Sequence, residues 1–350
     1  MNNKKLLKYH SISGLIAGIF LFILGITGSI LVFNSNIDNA IAQKYETQGF
    51  PEAFQLDSAI KNVQDQYKNW STRIIHFKKG ETFVFNVRKP NERKLVFVAP
   101  HTGKIIGEIN EGSHLSKWML KLHYSLHAGV IGKFIILIVG VLFFISLISG
   151  IILFRKNILK TLLFKVKLKK KNKRTYYSVL HRYIGVWALF LNLVLVFTGI
   201  FLSYNVAVGG LKKKSITSPP IVKTSVEKIL NNLKKNHPDF NPEYIRLPST
   251  KGKKIVINGP FKNDPFYYSI HYNKVEINYK TGKISKIKKT AHESFLYRFN
   301  SSILPFHYGQ FAGIFGKIIY SVIGLSGPFL SITGFYLWYK RKKKKKKKAK

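Results

Sequence analysis

The chain has 350 residues, 46% of them hydrophobic, and 58 Lys and Arg against 15 Asp and Glu give it a formal net charge of +43. It contains no cysteine, which excludes disulfides, thiolate metal sites, Cys-ligated iron–sulfur clusters and covalently attached haem. Charged and apolar residues are strongly segregated along the chain, and this segregation predicts the architecture.

Four stretches of the chain are long and almost purely apolar. Each exceeds the roughly 20 residues that cross a ~30 Å hydrocarbon core as a helix, so we predict four transmembrane helices. The first stretch is longer than the roughly 7–15 apolar residues of a signal peptide, and we expect it to be retained. The four stretches are 11–33, 134–154, 184–204 and 311–339.

The charges predict the topology. All fifteen carboxylates lie in residues 34–120 and 205–306, whereas 155–174 and 340–350 contain ten basic residues each and no acid. Because basic flanks of membrane spans stay cytoplasmic, we expect both termini inside the cytoplasmic (inner) membrane and the acid-bearing segments outside. The polybasic tail directly follows a span, which favours contact with anionic lipid over binding of nucleic acid.

The two outside segments each combine a helical pattern with strand-like alternation. "LDSAIKNVQDQYKNW" and "SVEKILNNLKKN" have helical spacing of apolar residues. "TFVFNV", "KLVFVA", "KIVING" and "YYSIHYN" alternate as strands do. We therefore expect two extracytoplasmic α/β domains, each with one helix on a short antiparallel sheet.

The chain also repeats itself. "HSISGLIAGIFLFILGITGSI" aligns without a gap on "HRYIGVWALFLNLVLVFTGI", so that His10 meets His181. "LHYSLHAGVIGKFIILIVG" aligns on "FHYGQFAGIFGKIIYSVIG", so that His123 meets His307. The predicted fold class is an α-helical membrane bundle with an internal two-fold repeat, its axis normal to the membrane.

Four aligned histidines are the candidate functional residues. His10 and His181 begin helices that run outward, and His123 and His307 begin helices that run inward, so the axis pairs them at an inner and an outer level. Two facing imidazoles in a helical bundle are suitable axial ligands for haem iron. Hydrogen bonding to lipid headgroups or carbonyls is the simpler alternative. Zinc or copper at His123 and His127, which are i, i+4, is another. Metal permeation is disfavoured because the spans contain no carboxylate.

Small residues face each predicted pair. Thr27-Gly28 and Thr198-Gly199 come seventeen residues after His10 and His181, about 25 Å along a helix, at the outer level. Ser149-Gly150 and Thr333-Gly334 fall near the inner level. Such pairs either leave room for a macrocycle or serve helix–helix contact.

These features resemble the PepSY-associated transmembrane family, often called iron-regulated membrane proteins. The matching pieces are "YHSISGLIAGIFLFILGITGSIL", "LHYSLHAGVIGKFIILIVGVLFFISLISGIILFRK", the two "TGKI" strand ends and "GLSGPFLSITGFYLWYK". The resemblance implies PepSY-like outside domains and a haem protein of the cytoplasmic membrane. The absence of cysteine and the two histidine pairs then predict haem b in two copies. Some members look like reductases of ferric siderophores or chelates. The family pattern maps onto His10, His123, His181 and His307, with His127 as the second histidine of an H-x-x-x-H form.

Two haems at two depths predict an electron path across the bilayer. The linker and tail are short and basic, so we expect the donor to be quinol, reduced flavin or a protein. Arg182, beside His181, is a candidate partner of a haem propionate, and an inside-positive anchor is its alternative role. The competing function is a non-enzymatic PepSY protein that binds or senses extracytoplasmic peptides or proteins.

The expected electron acceptor is an anionic ferric siderophore or chelate, attracted by the basic second outside segment. Candidate contacts there, each with a plain surface position as the alternative, are His271, Tyr272, His292 and Arg298. The predicted organisation, including the membrane helices, outside segments, linker and tail, is 1–33, 34–120, 121–154, 155–180, 181–204, 205–306, 307–339 and 340–350.

Overall fold

The computed structural model describes residues 3–45, 52–90, 92–167, 172–211 and 218–348. They form two compact units. The helical unit comprises the described parts of Met1–Phe33, Met119–Lys212 and Phe306–Lys350. The sheet unit comprises the described parts of Asn34–Trp118 and Lys213–Pro305.

Four helices of the helical unit are long and apolar enough to cross a membrane, which confirms the four predicted spans. They are α1 (Asn3–Leu31), α5 (Gly129–Phe154), α8 (Leu189–Leu211) and α11 (Gly313–Lys348). Large apolar side chains point away from the bundle, such as Ile19 at 71% and Phe190 at 75% exposure. An apolar outer surface of this kind suits contact with lipid.

Shorter helices lie between the spans in the sequence, and two of them correct a prediction. They are α2 (Asn34–Ala42), α4 (Leu115–Ser125), α6 (Ile158–Leu162), α7 (Lys173–Trp187) and α10 (Phe295–Tyr308). The prediction that His123 and His307 begin the second and fourth spans is wrong, because they lie in the last turns of α4 and α10. Only after a break do α5 and α11 begin.

The break between α4 and α5 has a local cause. Leu126 and His127 have left-handed φ values of 51° and 55°, which ends α4 at Ser125. The turn brings the Ser125 carbonyl so close to Gly132 that a Cβ there would lie 1.8 Å from its oxygen. Gly309 and Gly313 have φ values of 64° and 57° between α10 and α11, where glycine adopts the conformation without strain.

The spans pack through small and polar residues. Helix α1 contacts α5 and α11, α5 contacts α8, and α7 contacts α11. The Ser29 hydroxyl of α1 donates to the Ser321 carbonyl of α11 at 2.8 Å, and the Asn192 amide of α8 donates to the Ser326 hydroxyl at 3.0 Å. Such contacts stabilise helix association in lipid, where burial of apolar surface contributes little.

The sheet unit is built on one antiparallel sheet of eight strands. Its strand order is β4-β3-β2-β1-β5-β6-β7-β8. One face is covered by α3 (Leu56–Gln66) and α9 (Val226–Asn236), whose apolar sides form the main core with the sheet. The strands are β1 (Ser71–His76), β2 (Phe83–Arg88), β3 (Arg93–Val98), β4 (Ile105–Asn110), β5 (Tyr244–Arg246), β6 (Ile255–Asn258), β7 (Lys274–Ile277) and β8 (Ile284–Lys288).

The two predicted α/β segments each supply one helix and four strands, but they share this sheet instead of forming two domains. Strands β1 and β5 join them, with Arg73 opposite Arg246 and Ile74 opposite Ile245. The helices are joined as well. The Asp57 carboxylate of α3 accepts from the Val226 amide at the start of α9. Such a carboxylate satisfies an amide that the helix leaves unbonded.

One predicted strand, residues 267–273, is wrong. The segment forms turns, and β7 begins only at Lys274. The Asn258 amide donates to the carbonyls of His271 and Asn273, at 3.1 and 2.6 Å. Side-chain bonds therefore take the place of a strand ladder for these carbonyls.

Candidate functional site

The 123/307 pair consists of His123 in α4 and His307 in α10, which the sequence repeat predicted to approach each other. Their ring centroids lie 6.3 Å apart with the planes at 58°, which confirms that approach. Two metal–nitrogen bonds of about 2.0 Å, plus ring radii of about 1.1 Å, place the centroids of two trans imidazole ligands about 6 Å apart. The observed separation is close to this value.

A threonine hydroxyl holds each ring of this pair. Thr27 Oγ1 of α1 lies 2.9 Å from His123 Nδ1, and Thr198 Oγ1 of α8 lies 3.0 Å from His307 Nδ1. Each hydroxyl also donates to the carbonyl four residues earlier on its own helix, at 2.8 and 2.6 Å. A hydroxyl has a single proton, so its oxygen accepts the Nδ1–H of the histidine.

The same arrangement occurs at the 10/181 pair, formed by His10 of α1 and His181 of α7. His181 Nδ1 lies 2.8 Å from Thr333 Oγ1 of α11. His10 Nδ1 lies 3.2 Å from Ser149 Oγ and 2.9 Å from the Ser146 carbonyl of α5. Both hydroxyls again donate to the carbonyl four residues earlier. A carbonyl can only accept, so His10 Nδ1 carries the proton.

A glycine follows each of these hydroxyl residues and lies against the edge of the same ring. A Cβ added at any of the four would come within 3.6 Å of Cε1, and at three of them within 3.3 Å, closer than ordinary van der Waals contact. Each hydroxyl–glycine pair therefore fixes Nδ1 and leaves space for the ring. The contacts are Gly28 with His123, Gly199 with His307, Gly150 with His10, and Gly334 with His181.

These contacts determine what the imidazoles can do. In a neutral ring one nitrogen is a donor and the other an acceptor. With the proton held on Nδ1, the lone pair lies on Nε2, which is the form that ligates metals. Metal-bound histidines are typically oriented by such a bond from the second ring nitrogen. The donor set and its orientation fit a metal or haem iron at either pair.

A cavity of about 420 Å³ surrounds the 10/181 pair. Its volume falls in the range of roughly 300–1,000 Å³ that is typical of ligand pockets. Two arginines line it, Arg182 and Arg341, and both are oriented by neighbours. Arg182 Cζ lies 5.3 Å from the Phe154 ring, and Arg341 Nη1 donates to Ser11 Oγ at 3.4 Å.

His127 does not lie where it was predicted. It falls in the turn after α4, with an exposed side chain, so it does not share a helix face with His123 or lie one turn deeper. Among the described residues, no three His, Asp or Glu side chains come together to hold a metal ion. The zinc or copper alternative at His123 and His127 therefore has no third ligand from this set.

The candidate substrate contacts of the sheet unit differ in their surroundings. His292 and Arg298 are exposed, while the Tyr272 carbonyl accepts from the Tyr297 hydroxyl at 2.7 Å. Only His271 joins a cluster of charge, through the ring of Tyr244 at 5.2 Å. Sequence reasoning missed Arg341, since a cation in a polybasic tail gives no separate signal.

The four apolar helices and the separate sheet unit define the chain as a multi-pass membrane protein. It matches the PepSY-associated TM region family over residues 7–341, nearly its whole length, and it belongs to that family. No curated protein matches the chain.

Proposed function

We propose that this protein is a haem-containing electron-transfer protein of the cytoplasmic membrane that reduces an extracytoplasmic ferric siderophore or chelate for iron uptake. The observation that carries the proposal is the fourfold contact of a hydroxyl–glycine pair with a histidine. These contacts hold Nδ1 of each histidine and leave Nε2 of all four, in two pairs, available to bind a metal. Paired neutral imidazoles with no neighbouring thiolate or carboxylate suit six-coordinate haem b.

His123 and His307 would hold one haem, and His10 and His181 the other. Haem would supply an iron that exchanges one electron at a time. The protein residues orient the imidazoles and exclude competing ligands. In the 10/181 cavity, Arg182 and Arg341 would hold the propionates, because a guanidinium pairs well with a carboxylate.

The proposed orientation follows from charge. His10 lies in the part of α1 nearest the basic amino-terminal segment, and His181 lies in α7, which follows the basic linker, so we place the 10/181 pair at the cytoplasmic side. The 123/307 pair then lies at the outer side. Thr27, which holds His123, is seventeen residues after His10, about 25 Å along α1. Two matched pairs also support an internal two-fold repeat.

The proposed reaction moves one electron from a donor at the inner pair, through the outer pair, to Fe(III) in the chelate. Quinol, reduced flavin or a donor protein supplies the electron. Fe(III) becomes Fe(II), which hard oxygen ligands hold less tightly, and the chelator is released unchanged.

The test is reoxidation of the reduced, full-length protein in detergent under anaerobic conditions. Ferric citrate and ferric hydroxamate are mixed with dithionite-reduced protein, and haem absorbance is followed in a stopped-flow instrument. We expect rapid oxidation by at least one chelate, slowed in His123→Ala and unchanged in the control Lys61→Gln, at an exposed position on α3. Haem-loaded protein that no ferric chelate oxidises would overturn the proposal.

A further inference from the structure

The junction between the two halves of the sheet carries a cluster of three arginines and two aromatic residues. It is here called the seam cluster and is composed of Arg73, Arg88, Arg246, Tyr244 and His271. Arg73 of β1 and Arg246 of β5 are direct partners across the junction. Neighbouring Ile74 and Ile245 are fully buried beneath α3 and α9. Because side chains alternate along a strand, the two arginines lie on the opposite face.

Tyr244 is the centre of the cluster. Arg73 Nη1 donates to the Tyr244 hydroxyl at 3.1 Å, and Arg246 Cζ lies 5.9 Å from its ring. The His271 ring makes an edge contact with Tyr244, with centroids 5.2 Å apart. Arg73 and Arg88 are half-buried while Arg246 and His271 are exposed, so the cluster is accessible from one side.

The arginines of the seam cluster lack carboxylate partners among the described residues. Arg88 donates to the Asn86 amide oxygen, and no ion pair involves Arg73, Arg88 or Arg246. Arg73 Nε is buried with no hydrogen-bond partner. A buried donor without an acceptor is costly, and a ligand oxygen would supply one.

Several other basic residues in or beside the strands of this sheet have carboxylate partners, unlike the seam arginines. Lys94 contacts Glu108 at 2.7 Å, and Lys254 contacts Glu276 at 2.8 Å. At the seam, the pKa of Arg88 is lowered to about 10. Burial is the largest cause and repulsion from Arg73 and Arg93 adds to it, whereas the charge of Glu111 raises the pKa. The cations there destabilise one another, and a bound anion would relieve the repulsion.

We propose that the seam cluster binds the oxyanions of a small anionic ligand, with planar guanidinium groups pairing with its carboxylates. The assignment of the ligand as a ferric chelate rests on the proposed function. Arginine suits this role because its fork of N–H donors matches a carboxylate, which Lys94 or Lys254 would meet only as a point charge.

The test uses gallium(III) citrate, which carries the same carboxylates but is not reduced, so binding is measured apart from electron transfer. The full-length protein in non-ionic detergent is titrated by isothermal calorimetry. We expect Arg73→Gln and Arg246→Gln to weaken binding by about ten- to a hundredfold, as for the loss of a charged hydrogen bond. Lys61→Gln removes an equal charge from an exposed position on α3, and we expect it to bind as the unaltered protein does.

Circular dichroism of each variant checks folding, and Arg246→Lys separates charge from fork geometry, with an expected intermediate affinity. Equal binding by unaltered protein and both glutamine variants would overturn the proposal. Binding of a lipid phosphate group at the same arginines is tested with anionic phospholipid vesicles. If the arginine variants lose vesicle binding but keep gallium citrate binding, the chelate assignment is wrong. If the arginine variants lose gallium citrate binding, and no ferric chelate oxidises the haem of the unaltered protein, the seam site stands and the proposed function fails.

Discussion

The bond from Thr333 to His181 offers the sharpest perturbation of the histidine sites. Thr333→Val replaces the hydroxyl with a methyl group of the same shape, so the packing around Gly334 is kept. It removes the acceptor 2.8 Å from His181 Nδ1 while the backbone of α11 is unchanged. His181 then keeps its Nε2 but loses the bond that fixes its orientation.

The free energy lost in Thr333→Val can be estimated from this single hydrogen bond. A net hydrogen bond contributes about 0.5–1.5 kcal/mol, and an unsatisfied buried donor adds about 1–3 kcal/mol. Loss of an orienting partner typically lowers metal affinity about 10–100-fold. At about 1.4 kcal/mol for each tenfold change, this is about 1.4–2.8 kcal/mol, which lies within the range given for an unsatisfied buried donor.

The assay measures haem retention at the 10/181 pair alone. A His123→Ala background removes the haem of the other pair, and excess apomyoglobin captures what is released. We expect Thr333→Val to lower retention about 10–100-fold and Thr333→Ser to restore it. The control is Ser331→Ala, on the same helix, which also lines the cavity and whose hydroxyl donates to the Gly327 carbonyl. Equal retention in Thr333→Val and the unaltered protein, or equal loss in Ser331→Ala, would refute the reasoning.

Three further predictions test separate parts of the structure. His127→Ala leaves both haems bound because His127 lies exposed in the turn after α4; a haem-to-protein ratio that falls by half would contradict this. Arg341→Gln lowers the midpoint potential of the inner haem, since a lost cation disfavours the added electron; spectroelectrochemistry detects it, and an unchanged potential speaks against propionate contact. Ile245→Ala, at a fully buried core position of the seam, destabilises the sheet unit by about 2–5 kcal/mol in chemical denaturation; a loss below about 1 kcal/mol would show that the site collapses around the smaller side chain.

The spans and the approach of His123 and His307 could be predicted because both depend on patterns that local sequence carries. Length and apolarity determine a span, and the in-register alignment fixes which residues are equivalent. The break after Ser125 could not be predicted. It depends on left-handed conformations at Leu126 and His127, which are residues with no intrinsic preference for them.

The sheet shows the same division between local and non-local signals. Apolar alternation identified β2, β3 and β6, whereas the pairing of β1 with β5 joins strands about 170 residues apart and has no local signature. The seam arginines were therefore not singled out. Each is an ordinary basic residue in sequence, and only the pairing brings Arg73 next to Arg246.

The sequence singled out the four histidines and the small residues beside them, but not the hydrogen bonds between them. The small residues beside each ring were expected to provide space, and the glycines do lie against the rings. The hydrogen bonds of Thr27, Thr198, Ser149 and Thr333 were not expected, because a hydroxyl that bonds its own helix is usually a passive packing residue. Only the three-dimensional contact shows that the same oxygen also accepts from a histidine.

Haem stoichiometry is the most direct test of the account. The full-length protein is expressed with ample haem and purified, and its haem content is measured by the pyridine haemochromogen method with a low-temperature spectrum. The account predicts two b-type, low-spin haems per chain. It also predicts that His10→Ala and His181→Ala remove one haem and His123→Ala and His307→Ala remove the other. A colourless protein, or variants in which all four substitutions affect one and the same haem, would contradict it.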